Sequence, residues 1–326
     1  MRPRVTMVLA IVAVLVGGVM LVPAAYAKFA GGNGEGGIGG GGQVPAPSPT
    51  APAPPTLADA PVSVKFEGEF FSWALMDRET GTVTGAKNMN QTSSTESMLK
   101  AWIVADYLRQ LGEKEPSDDL KKAAILAIRN SDDDGANRVY RAAGGSYRPQ
   151  SGGKPDPVIA RAIRICGLTD TRPGDVPEYK GWWSFTEMSP RDAVRLGDCI
   201  ADGRAAGPKW TKWLLSEMTK VAGSVKQQSQ RSGGGRWGII DGLPATIKAQ
   251  GPVHMKNGWT RLAYDNNWHV SCLAFTDKWS LSVMMRYPSR SSLSYGAEVC
   301  ASVATQLVTP QPGAALKVPQ QPAGKL

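Results

Sequence analysis

Ser97-Met98-Leu99-Lys100-Ala101-Trp102-Ile103-Val104-Ala105-Asp106-Tyr107-Leu108 is the stretch on which the reading of this chain turns. Apolar residues recur at Met98, Leu99, Trp102, Ile103, Ala105 and Leu108, the spacing of a helix with a buried face. The pattern predicts a helix from Ser97 to about Leu111, with Ser94 or Thr95 placed to cap it. Residues three apart on a helix stack on one side, so Ser97 and Lys100 become neighbours. The spacing by itself is weak: 24 Ser and 18 Lys in 326 residues give about one accidental Ser-x-x-Lys. Ser151-Gly-Gly-Lys154 is such a case, because its Gly and Pro surroundings hold no helix.

Working outward, Phe70–Met76 alternates and is rich in aromatics, Arg78-Glu-Thr-Gly81 turns, and Val83–Lys87 continues, which reads as a hairpin. Helices are expected over Ser117–Arg129, Pro157–Cys166 and Pro190–Asp202, the last with Ser189 as its cap and a first-turn proline. Ser131-Asp-Asp133 opens a loop. After the turn Gly233-Gly-Gly235 the chain becomes strand-rich, over Trp237–Ile240, Thr246–Ala249, Val253–Asn257, Trp268–Phe275 and Trp279–Arg286. Ser292–Val308 closes as a helix. This order predicts an α+β fold, an antiparallel sheet packed by helices with an all-helical subdomain inserted.

Two further motifs follow the first in a fixed order, Ser131-Asp-Asp133 and Lys256-Asn-Gly258. With Ser97-Met-Leu-Lys100 they resemble the S-x-x-K, S-D-N and K-T-G motifs of the penicillin-recognising serine enzymes. Ser131-Asp-Asp-Asp-Gly-Ala-Asn137 is also similar to the family's S-D-N-T-A-A-N run, with four of seven positions identical. The chain thus resembles the serine β-lactamase and penicillin-binding protein superfamily, class A above all, over nearly all of Val62–Val308. The 34 residues from Ser97 to Ser131 are fewer than class A uses, which implies a shortened helical subdomain.

The resemblance implies roles. Ser97 is the nucleophile, Lys100 its base, and Ser131 the relay to the leaving nitrogen. Lys256 attracts a substrate carboxylate, Gly258 leaves room along the strand edge, and the N–H groups of Ser97 and Trp259 form an oxyanion hole. Three positions depart from the family. Asp133 stands where Asn is usual; an ionised carboxylate only accepts hydrogen bonds, and beside Lys100 it raises the lysine pKa. Asn257 replaces Thr, losing a hydroxyl but keeping a donor. The E-x-x-L-N segment that deacylates class A enzymes is missing from Pro173–Ser189, although Leu168-Thr-Asp-Thr-Arg172 resembles the opening of that loop. Glu178 is the candidate deacylation base that remains, without the usual neighbours. Asn137 reads as a structural hydrogen-bonding residue, and Trp182 and Trp183 as loop-packing aromatics.

Residues 1–27 read as an export signal: Arg2 and Arg4, an apolar run, then Ala25-Tyr-Ala27 as a cleavage pattern. Uncleaved, the run is long enough to anchor the chain in a membrane, and no Cys follows it for lipid attachment. Residues 28–61 form a Gly-rich, then Pro/Ala-rich linker, 62–308 the folded domain, and 309–326 a disordered tail. The expected location is extracytoplasmic, secreted or membrane-tethered. There, a net charge of +9 favours anionic envelope polymers over nucleic acid. Four Cys in an oxidising compartment make two disulfides from three pairings. The expected fold brings Cys166 near Cys199 and Cys272 near Cys300, which favours those two. His254 and His269 are the only histidines and show no metal-binding spacing, so no metal and no cofactor is expected. The expected partners are a peptidoglycan stem peptide or a β-lactam, acted on by a monomer. The competing reading is a non-catalytic module of the same fold that binds cell-wall material.

Overall fold

The computed structural model describes residues 62–148, 155–228 and 233–308. The expected export signal, linker and tail, and the second Ser-x-x-Lys at Ser151–Lys154, lie outside the described residues. The described residues belong to one unit of the chain, Ala51–Leu326. Strands β1 (Phe70–Asp77), β2 (Val83–Gly85), β5 (His254–Met255), β6 (Gly258–Leu262), β7 (Asn267–Phe275) and β8 (Trp279–Pro288) form an antiparallel sheet in the order β2-β1-β8-β7-β5. Strand β6 also pairs with β7, so β5 and β6 follow one another along the same edge. A second, two-stranded ribbon joins β3 (Ser93–Ser94) to β4 (Glu187–Met188).

The helices are α1 (Lys100–Leu111), α2 (Asp118–Arg129), α3 (Asp133–Ala142), α4 (Pro157–Cys166), α5 (Pro190–Ala201), α6 (Pro208–Met218) and α10 (Leu293–Leu307). Single turns α7 (Val225–Gln228), α8 (Ile239–Gly242) and α9 (Ala245–Lys248) lie between α6 and β5. Side chains of β7 alternate between two covered faces. Leu273 and Phe275 meet α5, where a Cβ on Gly197 would lie 3.3 Å and 3.1 Å from them. Cys272 points the other way and is bonded to Cys300 of α10. The sheet therefore lies between α5 and α10, with α1, α2, α3, α4 and α6 packed as the helical part. Helix α1 is the centre of that part: Lys100 through Leu108 are all buried, and Trp102 Nε1 donates to the Val158 carbonyl of α4 at 2.9 Å. Buried Asp106 on the same helix is satisfied by Arg109 and by Arg161 of α4, each 2.6 Å away.

Several expected elements take a different form. Helix α1 has no side-chain cap, because Thr95 is itself in helical conformation and Glu96–Leu99 forms a turn of 3-10 helix. The loop expected at Ser131-Asp-Asp133 is the start of α3, with Asp132 as its cap accepting from Gly135 N at 2.6 Å. The strands expected at Trp237–Ile240 and Thr246–Ala249 are the turns α8 and α9; short apolar runs do not distinguish the two states. Gly238, at φ 82°, breaks the first of them. Helix α6 and strand β6 had no expectation attached.

Both disulfides are present, Cys166–Cys199 tying α4 to α5 and Cys272–Cys300 tying β7 to α10, with no free cysteine among the described residues. They close 33 and 28 residues of chain. The entropy model gives about 3–4 kcal/mol for loops of this length. Replacing both Cys272 and Cys300 by Ala is expected to lower unfolding free energy by about that amount in urea titration. Peptide mapping without reductant should recover each pair intact.

Candidate active site

Glycine 258 decides how the sheet meets the helical part. It opens β6 directly against the turn that precedes α1, and a Cβ there would lie 2.4 Å from Thr95 O and 2.8 Å from Ser97 N. No side chain fits in that gap. Ser97 is thereby held in the turn before α1 against the edge of β6, partly exposed, on the wall of a cleft of about 680 Å³. Lys100 follows one turn later on α1, fully buried.

Ser131 reaches the same place from the loop between α2 and α3. Its φ of 55° is a left-handed conformation that a non-glycine residue keeps only when its surroundings hold it. Two buried ammonium groups do so. Lys100 Nζ donates to the Ser131 carbonyl, and Lys256 Nζ donates to Ser131 Oγ at 2.8 Å. Lys100 also donates to Asp133 Oδ1 at 2.6 Å. The three motifs thus meet, and their two lysines share one serine. Among the described residues no hydrogen bond engages Ser97 Oγ.

Burial governs both lysines. It pulls the Lys100 pKa below the ordinary lysine range, against the opposing pull of the Asp133 carboxylate. Asp133 touches Lys100 and raises its pKa in the expected direction, but burial outweighs that pull. Lys256 is pulled well below its usual range by burial first and by the Lys100 charge second.

Lys256, Asn257 and Glu178 are placed away from their expected use, whereas Asn137, Trp183 and Trp259 are where they were expected. Lys256 and Asn257 are fully buried and lie behind the cleft wall. Asn257 donates both amide hydrogens to the carbonyls of Gly235 and Trp237, at 2.9 Å and 2.8 Å, so no donor is left for a ligand. Trp259 lines the cleft and packs edge-on against Trp237. Glu178 is exposed in the turn Pro177–Tyr179 and does not line the cleft. Asn137 accepts from Trp183 Nε1 at 3.0 Å and from the Tyr147 hydroxyl. Trp183 is buried against this pair, while Trp182 is 49 % exposed at the cleft wall. His254 is a buried histidine whose Nδ1 lies 2.9 Å from the Leu215 carbonyl.

Among the cleft residues that carry no motif signal are two cations and a hydrogen-bonded pair. Arg141 and Arg261 are exposed cations on opposite walls, from α3 and β6. Glu96 and Thr260 form part of the floor, joined by a 2.6 Å hydrogen bond. None of them was legible in the sequence; their placement comes from folding. A second cavity, of about 480 Å³, lies across the Trp182–Trp183 segment and contains none of the motif residues. Among the described residues no group of three His, Cys, Asp or Glu could hold a metal.

No family profile and no curated protein matches the chain. Solved structures do. The chain is similar to PBP-A, at 15% identity and TM-score 0.51 over 72% of this chain and 87% of that one. It is similar to a β-lactamase from Xanthomonas campestris pv. campestris, at 16% identity and TM-score 0.53 over 73% and 91%. A mutant of PBP-A solved as an acyl-enzyme complex with penicillin G aligns at 15% identity and TM-score 0.50, over 72% and 88%. The fold is that of the serine β-lactamases and penicillin-binding proteins.

The contact at Gly258 yields a test. Gly258→Ala is expected to cost about 1–3 kcal/mol in thermal or urea unfolding, since backbone has to move. Gly251→Ala, where an added Cβ meets nothing within 4 Å, is the matched control and should cost little.

Proposed function

We propose that this chain is an exported serine hydrolase or acyltransferase that forms an acyl-enzyme through Ser97 on a β-lactam or a D-Ala-D-Ala-like peptide. The observation that carries this reading is the convergence on Ser131 of Lys256 and of Lys100, the latter one turn after a partly exposed Ser97. Burial favours the neutral amine, the form that can accept the Ser97 proton. Ser97 Oγ bonds to the substrate carbonyl carbon while its proton passes to Lys100. The N–H groups of Ser97 and Trp259 take the developing oxyanion. Ser131 then hands a proton from the lysines to the leaving nitrogen as the amide bond breaks. With Lys256 buried, Arg141 and Arg261 are the cations that draw a substrate carboxylate into the cleft.

The N-terminal pattern and the two disulfides support an extracytoplasmic location. With Glu178 outside the cleft, no loop glutamate activates water, so the ester persists. A second reading, a binding module without turnover, is favoured by the hold of Asp133 and the Ser131 carbonyl on Lys100.

Intact mass after penicillin G exposure separates the two. A single adduct lost in Ser97→Ala, persisting for minutes or longer with little turnover of a chromogenic cephalosporin, is the expected result. Glu178→Gln should leave both unchanged. No adduct after hours would select the binding module.

The pH profile adds a second test. Neutral Lys100 exists above its depressed pKa, so acylation should rise with pH through that value and level off below the ordinary lysine range. Asp133 opposes the depression, so Asp133→Asn should move the rising limb to lower pH. An unmoved limb would mean that Lys100 is not the base.

A further inference from the structure

Glu96 immediately precedes Ser97, lines the same cleft, and takes no part in the scheme above. It is 2 % exposed, and its φ of 49° is a left-handed conformation that a glutamate keeps only under constraint. Both carboxyl oxygens are engaged. Ser94 Oγ lies 2.7 Å from Oε1, and Thr260 Oγ1 lies 2.6 Å from Oε2. The hydrogen bonds continue beyond Ser94. Its Oγ is 2.7 Å from His269 Nδ1, and His269 Nε2 is 2.7 Å from Asp265 Oδ2. The chain Glu96–Ser94–His269–Asp265 runs from the cleft floor through β3 to β7, outside all three motifs.

Counting hydrogens tells which form it takes. Burial works against the Asp265 charge, but bonds from His269 and the Asn267 N–H hold its pKa below the usual range. An ionised Asp265 only accepts, so His269 Nε2 carries a hydrogen. Burial lowers the His269 pKa, against the pull of Asp265, so the ring is neutral near pH 7 and Nδ1 is an acceptor. Ser94 has one hydrogen, which goes to Nδ1. Only a protonated Glu96 then completes the bond to Ser94. Burial, opposed by the bonds from Thr260 and Ser94, independently pushes Glu96 up to about 7. When Glu96 loses this proton to solvent, Ser94 can turn its hydrogen from His269 Nδ1 to the carboxylate, which keeps the bond to Oε1.

We propose that Glu96 is the general base that hydrolyses the Ser97 acyl-enzyme, and that Ser94, backed by His269 and Asp265, holds its carboxyl group in place in both protonation states. The proposal rests on the acyl-enzyme reading above and supplies the base that the 173–189 loop lacks. A water oxygen bonds to the acyl carbon as one water proton passes to the Glu96 carboxylate. When the bond from that carbon to Ser97 Oγ breaks, the proton passes to Oγ. The product leaves as a carboxylic acid, and Ser97 and Glu96 end as they began. Thr260 Oγ1 also lies 2.7 Å from the Trp259 carbonyl, so turning its hydrogen there frees Glu96 Oε2 for the water. Glu187 of β4 and Asp133 of α3 face Glu96 and oppose its ionisation, whereas Lys100 of α1 favours it. Arg286 of β8, Glu69 and Asp265 face His269. Burial keeps the carboxylate scarce below pH 7, which accounts for slow hydrolysis.

The test uses penicilloyl-enzyme formed on the full chain, freed of excess penicillin G and followed by intact mass between about pH 5.5 and 8.5. Decay is expected to rise with pH through about 7, the value to which burial raises Glu96. Glu96→Gln keeps the shape and should slow decay at pH 8 by about 100-fold or more and flatten the profile. Ser94→Ala removes a donor from the carboxylate and should move the rise to higher pH. A wild-type decay independent of pH, equal decay in Glu96→Gln, or an unmoved midpoint in Ser94→Ala overturns the proposal. If Glu96→Gln does not fold, the wild-type profile and Ser94→Ala still decide. A wild type that takes no adduct overturns the acyl-enzyme reading, and this proposal with it.

Discussion

The approach of β6 to the turn before α1 is the constraint from which the rest of the site follows. Gly258 brings the strand edge against the Thr95 carbonyl and the Ser97 N–H with no room for a side chain. That contact sets the serine at the sheet edge, and the helix then carries Lys100 inward to meet Ser131. Because α1 is buried along most of its length, packing on all sides holds it in place. A shift of one helical turn would break the lysine contacts and the sheet contact together.

Two buried lysines on one serine are costly, since each ammonium loses its hydration and repels the other. The arrangement answers this by displacing protons rather than by adding countercharge. Among the described residues Asp133 is the one carboxylate in direct contact, and its side chain is 78 % exposed. Water competes with it, so it offsets the burial of Lys100 only in part. Strain at Ser131 and Glu96, both at positive φ, flanks the nucleophile on either side. Such conformations persist where surrounding bonds over-determine them, here two lysines for Ser131 and two hydroxyls for Glu96.

The loop between α4 and α5 is anchored by a small polar knot. Buried Asp192 accepts from Thr169 N, Asp170 N and the Thr171 hydroxyl, while Asp170 pairs with Arg191. The loop returns through the β3–β4 ribbon, so the strand that carries Ser94 also fixes the wall that carries Trp182, Trp183 and Phe185. Cleft wall and buried hydrogen-bond chain therefore share one support.

Local sequence determined much of this protein. The hairpin strand at Phe70, the helices at Pro157 and Pro190, the long strands β7 and β8 and the closing helix are legible because period, caps and turn residues agree locally. The Ser97, Ser131 and Lys256 motifs were legible because their chemistry needs particular residue types at short spacing. Helix α3 was hidden, since three acids after a serine read equally as a loop. The turns α8 and α9 were misread because a run of four residues is too short to show a period. Glu96 was invisible: one glutamate before a serine has no pattern, and its partners Thr260, His269 and Asp265 lie more than 160 residues away. Burial decided the rest. Whether Lys256 meets a substrate or hides behind Trp259, whether Asn257 keeps a donor, and which way Lys100 titrates all depend on the solvent that distant segments remove. No local stretch of sequence records that solvent, so only the tertiary structure could assign it.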